Sequence, residues 1–326
     1  MTFRQYFDEN ETARGLQGRD LIYMDDFSKE EIETVLSFAN MMKTGVIDRK
    51  EQTEILWGQS LAEIFEKPSL RTRTSFETGI FQLGGHGMYL SPAEIGLGKR
   101  ESVWDVANVL SRITDIIMAR VFSNSTVVGL AKGSKKPVIN ALCDMEHPCQ
   151  ALADIETVIE HKGNDFKNIN FTYIGDGNNV CNSLMIICSK LGINFKCGCP
   201  AGYTPSDDYV KKAEAYAKGN GVSMAVETDP VKAVAGADIV YTDVWASMGQ
   251  EAETQKRAEI FADFQVNAKL MSYAKSDACF MHCLPAHRGS EVTDEVMDCA
   301  NSIVFDEAEN RLHAQKAVMA LMGNRF

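Results

Sequence analysis

Ser60-Leu-Ala-Glu-Ile-Phe65 runs directly into Glu66-Lys-Pro-Ser-Leu-Arg-Thr-Arg-Thr-Ser-Phe-Glu77. The first six residues alternate as a strand does, and Pro68 ends the run. Ser69 stands where a helix N-cap belongs. Phe76, Ile80 and Leu83 then recur at helical spacing until Gly84-Gly85 stops the pattern. A strand, a tight turn and a helix opening bring backbone N–H groups to one place, together with the hydroxyls of Ser69 and Thr72 and the guanidinium groups of Arg71 and Arg73. Such a helix N-terminus is suited to a phosphate. A solvated basic turn ahead of an ordinary helix is the alternative that this stretch alone leaves open.

The whole chain narrows the choice. At 326 residues it has room for two domains, and with 45% hydrophobic and 24% charged residues it is globular in composition. A formal net charge of −12 argues against a general nucleic-acid binder, which carries a basic face. No apolar run approaches the roughly 18 residues that a membrane helix needs, and the opening residues lack a secretory pattern, so a cytoplasmic protein is expected. Nine cysteines, all between Cys143 and Cys299, show no framework spacing and read as free thiols.

Ser28 and Glu31 make a capping box ahead of a helical face of Ile32, Val35, Leu36, Ala39 and Met42. Gly87 to Leu90 is a strand candidate, Ser91 to Arg100 a glycine-bearing loop, and Glu101 to Ile113 an amphipathic helix. Asp115 to Val121 and Pro137 to Leu142 are near-continuous apolar runs, as in buried parallel strands. A helix from Ala151 to Gly163 links two halves. Strands are then expected at Ile169–Ile174, Ile193–Cys197, Val222–Val226, Ile239–Thr242, Cys279–Cys283 and Ile303–Phe305, with helices between most of them. Alternating strands and helices imply an α/β protein of two domains, each an open, mainly parallel sheet flanked by helices, the second Rossmann-like. Ligands in such sheets sit beyond the C-terminal strand ends. The loops after Glu66, Arg120, Leu142, Ile174, Thr242 and Cys283 are therefore where chemistry is expected.

Those loops are rich in polar groups. His147-Pro-Cys-Gln150 sets an imidazole and an amide around a proline turn, although a lone loop histidine is often structural. Gly175-Asp-Gly-Asn-Asn179 follows a strand, but Val180 replaces the third glycine of a dinucleotide fingerprint, and Cys197-Gly-Cys199 supplies no ribose-binding acid. Asn178 and Asn179 offer amides to a small polar ligand instead. Asp243 at the next strand end suits an ammonium group or caps a turn, and Ser247-Met-Gly249 can close over a ligand. His282, Cys283 and His287 lack the second cluster of a structural zinc site, and Cys283 is open to either a chemical or a merely buried role. Arg311, among acids near the C-terminus, has a plain ion pair as its simplest explanation.

Taken together, Ser-Leu-Arg-Thr-Arg, His-Pro-Cys-Gln, Gly-Asp-Gly-Asn-Asn, Asp-x-Trp-x-Ser-Met-Gly, His-Cys-Leu-Pro and Glu-Asn-Arg-Leu-His resemble, in order and over nearly the whole chain, the aspartate/ornithine carbamoyltransferase superfamily. The Ser-Met-Gly loop resembles its ornithine-using branch. The resemblance implies a carbamoyl phosphate domain at 1–150, joined by a last helix at about 310–326, and an ornithine domain at 151–309. It implies no metal and no cofactor, a homotrimer or a multiple of trimers, and small-molecule substrates only. It places Ser69, Leu70, Arg71, Thr72, Arg120, His147, Gln150, Cys283, Leu284 and Arg311 around carbamoyl phosphate. Asn179, Asp243, Ser247 and Met248 would hold ornithine. Cys283, Asp243, Arg71, Arg120 and His147 would carry the catalysis, with Asp243 and Cys283 taking or relaying the proton of the attacking amine.

Two positions depart from the family pattern. Leu70 stands where threonine is usual, which removes a hydroxyl but keeps the N–H. Gly96 stands where glutamine or histidine is usual, in a loop that reaches a neighbouring subunit in the family, and Lys99 or Arg100 is the candidate to compensate. Other amines (putrescine, an N-acylated ornithine), a non-catalytic homologue and a nicotinamide oxidoreductase are the alternatives.

Overall fold

The computed structural model describes residues 1–246 and 251–323. Cα packing divides the chain into two compact units, Met1–Glu156 with Glu309–Phe326, and Thr157–Ala308. The helix Pro148–Lys162 and the final helix Val304–Gly323 carry the chain from one unit to the other.

In the first unit β1 (Ser60–Phe65), β2 (His86–Leu90), β3 (Ile116–Arg120) and β4 (Val138–Leu142) form a parallel sheet of order β2-β1-β3-β4. Strand alternation puts Ala62 and Ile64 of β1 into a core with Val106, Ala107, Ile117, Ala119, Val127 and Leu130. Helices Val103–Ile113 and Asn124–Gly133 bring the last of these in. Leu61, Glu63 and Phe65 face the other way, and Glu63 is fully buried there.

In the second unit β5 (Asn170–Ile174), β6 (Asn194–Gly198), β7 (Met224–Glu227), β8 (Ile239–Thr242) and β9 (Cys279–His282) form a parallel sheet of order β7-β6-β5-β8-β9. The first strand of the unit thus lies at the centre, and the chain winds outwards from it in both directions, the doubly wound arrangement of a Rossmann-like sheet. Phe171 stacks on Phe195 and packs at a tilt against Tyr241 on neighbouring strands.

Both sheets have a point where the strand order reverses, between β1 and β3 in one and between β5 and β8 in the other. A crevice opens beyond the C-terminal strand ends at such a point. The loops flanking these two points carry Ser69–Arg73 and Val121–Phe122 in the first unit, and Gly175–Asn178 and Asp243–Trp245 in the second. Among the described residues no helix is long and apolar enough to cross a membrane.

One expected strand is absent. Ile303–Phe305 enters the final helix at Val304, and pairing with β9 is limited to a single bridge between Phe280 and Ser302. A short apolar run does not distinguish a strand from the first turn of a buried helix. The loop at 91–100 also contains a turn of helix, Pro92–Ile95.

Candidate active site

The turn after β1 has the geometry its residues demand. Ser69 is extended (φ −160°, ψ 121°), and its Oγ accepts from the Thr72 N–H at 3.2 Å, which caps the helix Leu70–Gln82. Leu70 occupies the first helical position with its side chain 74% exposed, so only its backbone N–H is available to a ligand at the turn.

Thr72 is the focus of the first unit's site. Its Oγ1 receives the Ser69 hydroxyl at 3.1 Å, Arg120 Nη1 at 3.2 Å and, more weakly, Arg311 Nη2 at 3.4 Å. A hydroxyl oxygen has two lone pairs, so three donors converging on one exceed what it can satisfy and favour an added anion. Arg120 comes from the end of β3, and Arg311, also buried, from the final helix. Arg311 Nη1 donates to Gln150 Oε1 at 2.6 Å, and Gln150 Nε2 donates to Asp154 Oδ1 at 2.8 Å. Arg311 is thus engaged by Gln150 and Thr72, beyond the acidic neighbours that its sequence context suggested.

His147 lies buried just before the helix Pro148–Lys162. Burial, and then the positive charges of Arg311, Arg120 and Arg71, hold its imidazole well below the usual histidine range. It is a neutral hydrogen-bonding group. Arg73, the second guanidinium of the turn, is directed elsewhere: it bonds Glu77 at 2.8 Å and lies 4.0 Å over the Tyr89 ring. Lys67, which sequence reasoning passed over, is 9% exposed with its ammonium 4.5 Å from the Phe122 ring. Burial, and then Arg120, push its pKa down. Its signal in the sequence was its place two residues ahead of the cap.

The second unit gathers a different set. Asn178, the N-cap of the helix Asn179–Leu191, accepts from the Val180 and Cys181 N–H groups and from the Tyr173 hydroxyl at Oδ1. Its Nδ2 donates to Asp243 Oδ2 at 2.8 Å. The other carboxylate oxygen of Asp243 accepts from the Cys283 thiol at 3.0 Å and from the Val244 N–H at 2.8 Å. Asp243 is 6% exposed, and Cys283 is half-buried. Asn179, the residue expected to hold the ligand, stands one place inside the helix; the amide that binds Asp243 belongs to Asn178. Ser247 and Met248 lie outside the described residues.

Gly177 also argues against a nucleotide fingerprint. A Cβ there would come within 2.2 Å of Pro205 N, so the missing side chain admits another loop of the protein. Nothing in the sequence singles out Arg257, and Asp176 shows there only as part of the Gly175–Asn179 motif. Arg257 Nη1 binds Asp176 Oδ2 at 2.6 Å and the Trp245 carbonyl at 2.8 Å, while Nε binds Glu253 at 2.9 Å. Its guanidinium lies 5.0 Å from the Tyr203 ring centre. This one side chain, 7% exposed, ties together the loops after β5, β6 and β8.

Donor atoms of Asp243, His282 and Cys283 lie within 4.8 Å of one another. The imidazole, however, is already engaged at both nitrogens. Nδ1 accepts from the Leu284 N–H at 2.9 Å, which makes Nε2 the protonated nitrogen, facing Glu291 at 3.2 Å. No lone pair is left for a metal unless these bonds are given up. Leu284 is the one non-glycine residue among those described with positive φ, at 55°, a costly conformation that turns the chain sharply after Cys283.

Family models for the carbamoyl-P binding domain and the Asp/Orn binding domain of aspartate/ornithine carbamoyltransferase match residues 19–160 and 167–322. An ornithine carbamoyltransferase of Thermococcus kodakarensis is 55% identical over 307 residues, 94% of this chain and 97% of that relative. An anabolic ornithine carbamoyltransferase of Pyrococcus furiosus is 53% identical over 94% of this chain and 97% of its own length. The solved ornithine carbamoyltransferase of Pyrococcus furiosus superposes with a TM-score of 0.91 at 52% identity, covering 94% of this chain and 97% of that one.

Proposed function

The chain belongs to the aspartate/ornithine carbamoyltransferase family, and on that premise we propose that its two units divide one reaction between them. The reaction is transfer of the carbamoyl group of carbamoyl phosphate to the δ-amine of L-ornithine, giving L-citrulline and phosphate. The first unit binds carbamoyl phosphate, and the second binds the amino acid.

The observation that carries this division is the contrast between the two switch points. At one, Arg120 and Arg311 crowd a single threonine hydroxyl; at the other, a buried carboxylate is held by an amide and a thiol. The first suits a dianion, the second a cation. Backbone N–H groups of Ser69 to Thr72 and the arginines, Arg71 included, receive the phosphate. Arg120, His147, Gln150 and the Thr72 hydroxyl serve the carbamoyl oxygen, on which negative charge develops in the transition state. A neutral His147 donates or accepts there without adding charge.

An alkylammonium deprotonates near pH 10.4, so the attacking δ-amine must shed a proton first. Asp243 is the acceptor, and Cys283 holds it through the thiol bond; Leu284 follows as the turn that sets Cys283 in place. Asn179, Ser247 and Met248 complete the amino-acid site. The chemistry asks for no cofactor and no metal. We infer a homotrimer or a multiple of trimers in the cytoplasm; the large apolar side chains that the first unit leaves exposed, among them Phe81, Trp104 and Ile113, support association between copies.

Purified protein given carbamoyl phosphate and a panel of amines tests the assignment through ureido product. Citrulline from ornithine is expected. No citrulline alongside turnover of putrescine or N-acetylornithine would overturn it.

A further inference from the structure

Three thiols meet at the C-terminal end of β6. Cys181 Sγ lies 3.5 Å from Cys197 Sγ, and Cys199 follows two residues along the same chain segment. All three are buried. None belongs to the catalytic machinery described above, yet the cluster adjoins it. The Cys181 N–H is one of the two that Asn178 Oδ1 caps, at 3.1 Å. Cys197 pairs in register with Tyr173, whose hydroxyl donates to the same Oδ1 at 3.2 Å. Asn178 then reaches Asp243 with its other end.

We propose that Cys181 and Cys197 are a reversible oxidation site: a small peroxide converts them to a disulfide, and the contraction loosens the Asn178–Asp243 contact and weakens ornithine binding. The last step rests on the assignment of ornithine to this unit. The chemistry closes with hydrogen peroxide as the oxidant. One sulfur, as thiolate, attacks a peroxide oxygen; the O–O bond breaks, leaving a sulfenic acid and one water. The second sulfur attacks the sulfenic sulfur, the S–S bond forms and a second water leaves. Two electrons pass from the sulfurs to the peroxide, and the two thiol protons end in water.

The geometry favours this pair. Sulfurs in contact at 3.5 Å must close to about 2.05 Å, a movement of side chains already side by side. One sulfur sits in the first turn of the helix Asn179–Leu191 and the other on β6, so the movement is transmitted to that helix cap and not absorbed within one loop. A hydrogen bond of 2.8 Å tolerates only a few tenths of an ångström of such displacement. Burial, with Cys188, Cys199 and Asp176 as the facing titratable groups, keeps Cys181 protonated; the Cys181 contact and then burial do the same for Cys197, with Cys199 opposing. Reaction is therefore expected to be slow near neutrality and faster as pH rises.

The test uses the intact enzyme exposed to graded hydrogen peroxide, followed by peptide mapping and by separate titrations of the two substrates. The expected product loses two hydrogens and links the Cys181 and Cys197 peptides. The KM for ornithine should rise about tenfold, the size of one lost hydrogen bond to a charged group, with the KM for carbamoyl phosphate unchanged and full recovery in dithiothreitol. Cys181→Ala and, separately, Cys197→Ala should keep the untreated activity and abolish the reversible KM change. Oxidation confined to Cys283 or to Cys197–Cys199 would overturn the proposal. So would a Cys181–Cys197 linkage without a change in ornithine KM, or a reversible KM change that persists in Cys181→Ala. Mapping needs no turnover, so failure of the linkage is distinguishable from failure of the ornithine assignment, which would appear in untreated protein.

Discussion

Cys283 Sγ donates to Asp243 Oδ1 at 3.0 Å, while Asn178 holds the opposite oxygen of the same carboxylate at 2.8 Å. A carboxylate gripped at both ends is held in one orientation, which suits the proton-acceptor role proposed for it. Asp243→Asn keeps the shape but loses the basicity, and kcat is expected to fall by about two to four orders of magnitude, the range for a general base. Cys283→Ser retains a donor to Asp243 and should cost far less. Steady-state kinetics on the two variants check this; equal losses would assign the proton to the thiol.

Thr72→Val removes the oxygen on which Ser69, Arg120 and Arg311 converge. The side chain is fully buried and valine matches its shape, so the helix should remain folded. The expected effect is on carbamoyl phosphate: kcat/KM lower by about ten- to a hundredfold, as for loss of hydrogen bonds to charged groups, with ornithine KM unchanged. Isothermal titration with a non-reactive phosphonate analogue reads the binding part alone.

Arg257→Lys keeps the charge beside Asp176 but loses the planar fork that also reaches the Trp245 carbonyl and Glu253. The loops after β5 and β8 should lose their common anchor. Ornithine KM is expected to rise about tenfold or more for the loss of a charge-assisted hydrogen bond, while carbamoyl phosphate KM stays where it was. A uniform loss of kcat with both KM values unchanged would count against a positioning role.

Glu63 predicts a pH dependence of stability. It is fully buried on β1, and among the described residues neither carboxyl oxygen has a hydrogen-bond partner. Burial, with Glu77 adding to it and Arg73 opposing, pushes its pKa up to about 8 from 4.5. The folded state therefore binds the proton more tightly than the unfolded chain. Its stabilising effect is complete below about pH 4.5 and drains away as pH rises towards 8, at no more than about 1.4 kcal/mol per pH unit. Glu63→Gln should flatten this slope, so the variant gains on the wild type between pH 5 and pH 8. Thermal unfolding across that range decides it, and parallel curves for the two proteins would show that Glu63 does not titrate there.

Much of the architecture could be read locally. Pro68 and Ser69 mark the strand-to-helix turn after β1, and Ser69 caps that helix as expected. Ser28 and Glu31 likewise form the capping box that their spacing announces. These features depend on neighbours three or four residues apart, so the sequence carries them almost intact. Ile303–Phe305 failed for the complementary reason: so short an apolar run has no period of its own, and the final helix takes Val304 and Phe305 while Ile303 keeps one N–H bond to Phe280 of β9.

By itself the sequence determined where strands give way to helices, which loops are polar, and that arginines stand at the turn after β1 of an acidic chain. Only the tertiary structure decided which of those groups meet. Thr72 and Arg311 are 239 residues apart, and Asn178 and Asp243 are 65 apart. Arg257, 81 residues from Asp176, carries no local pattern that would reveal its role. Contacts across such separations are set by strand order in the sheet and by the packing of helices against it, and neither is written in the spacing of residues along the chain.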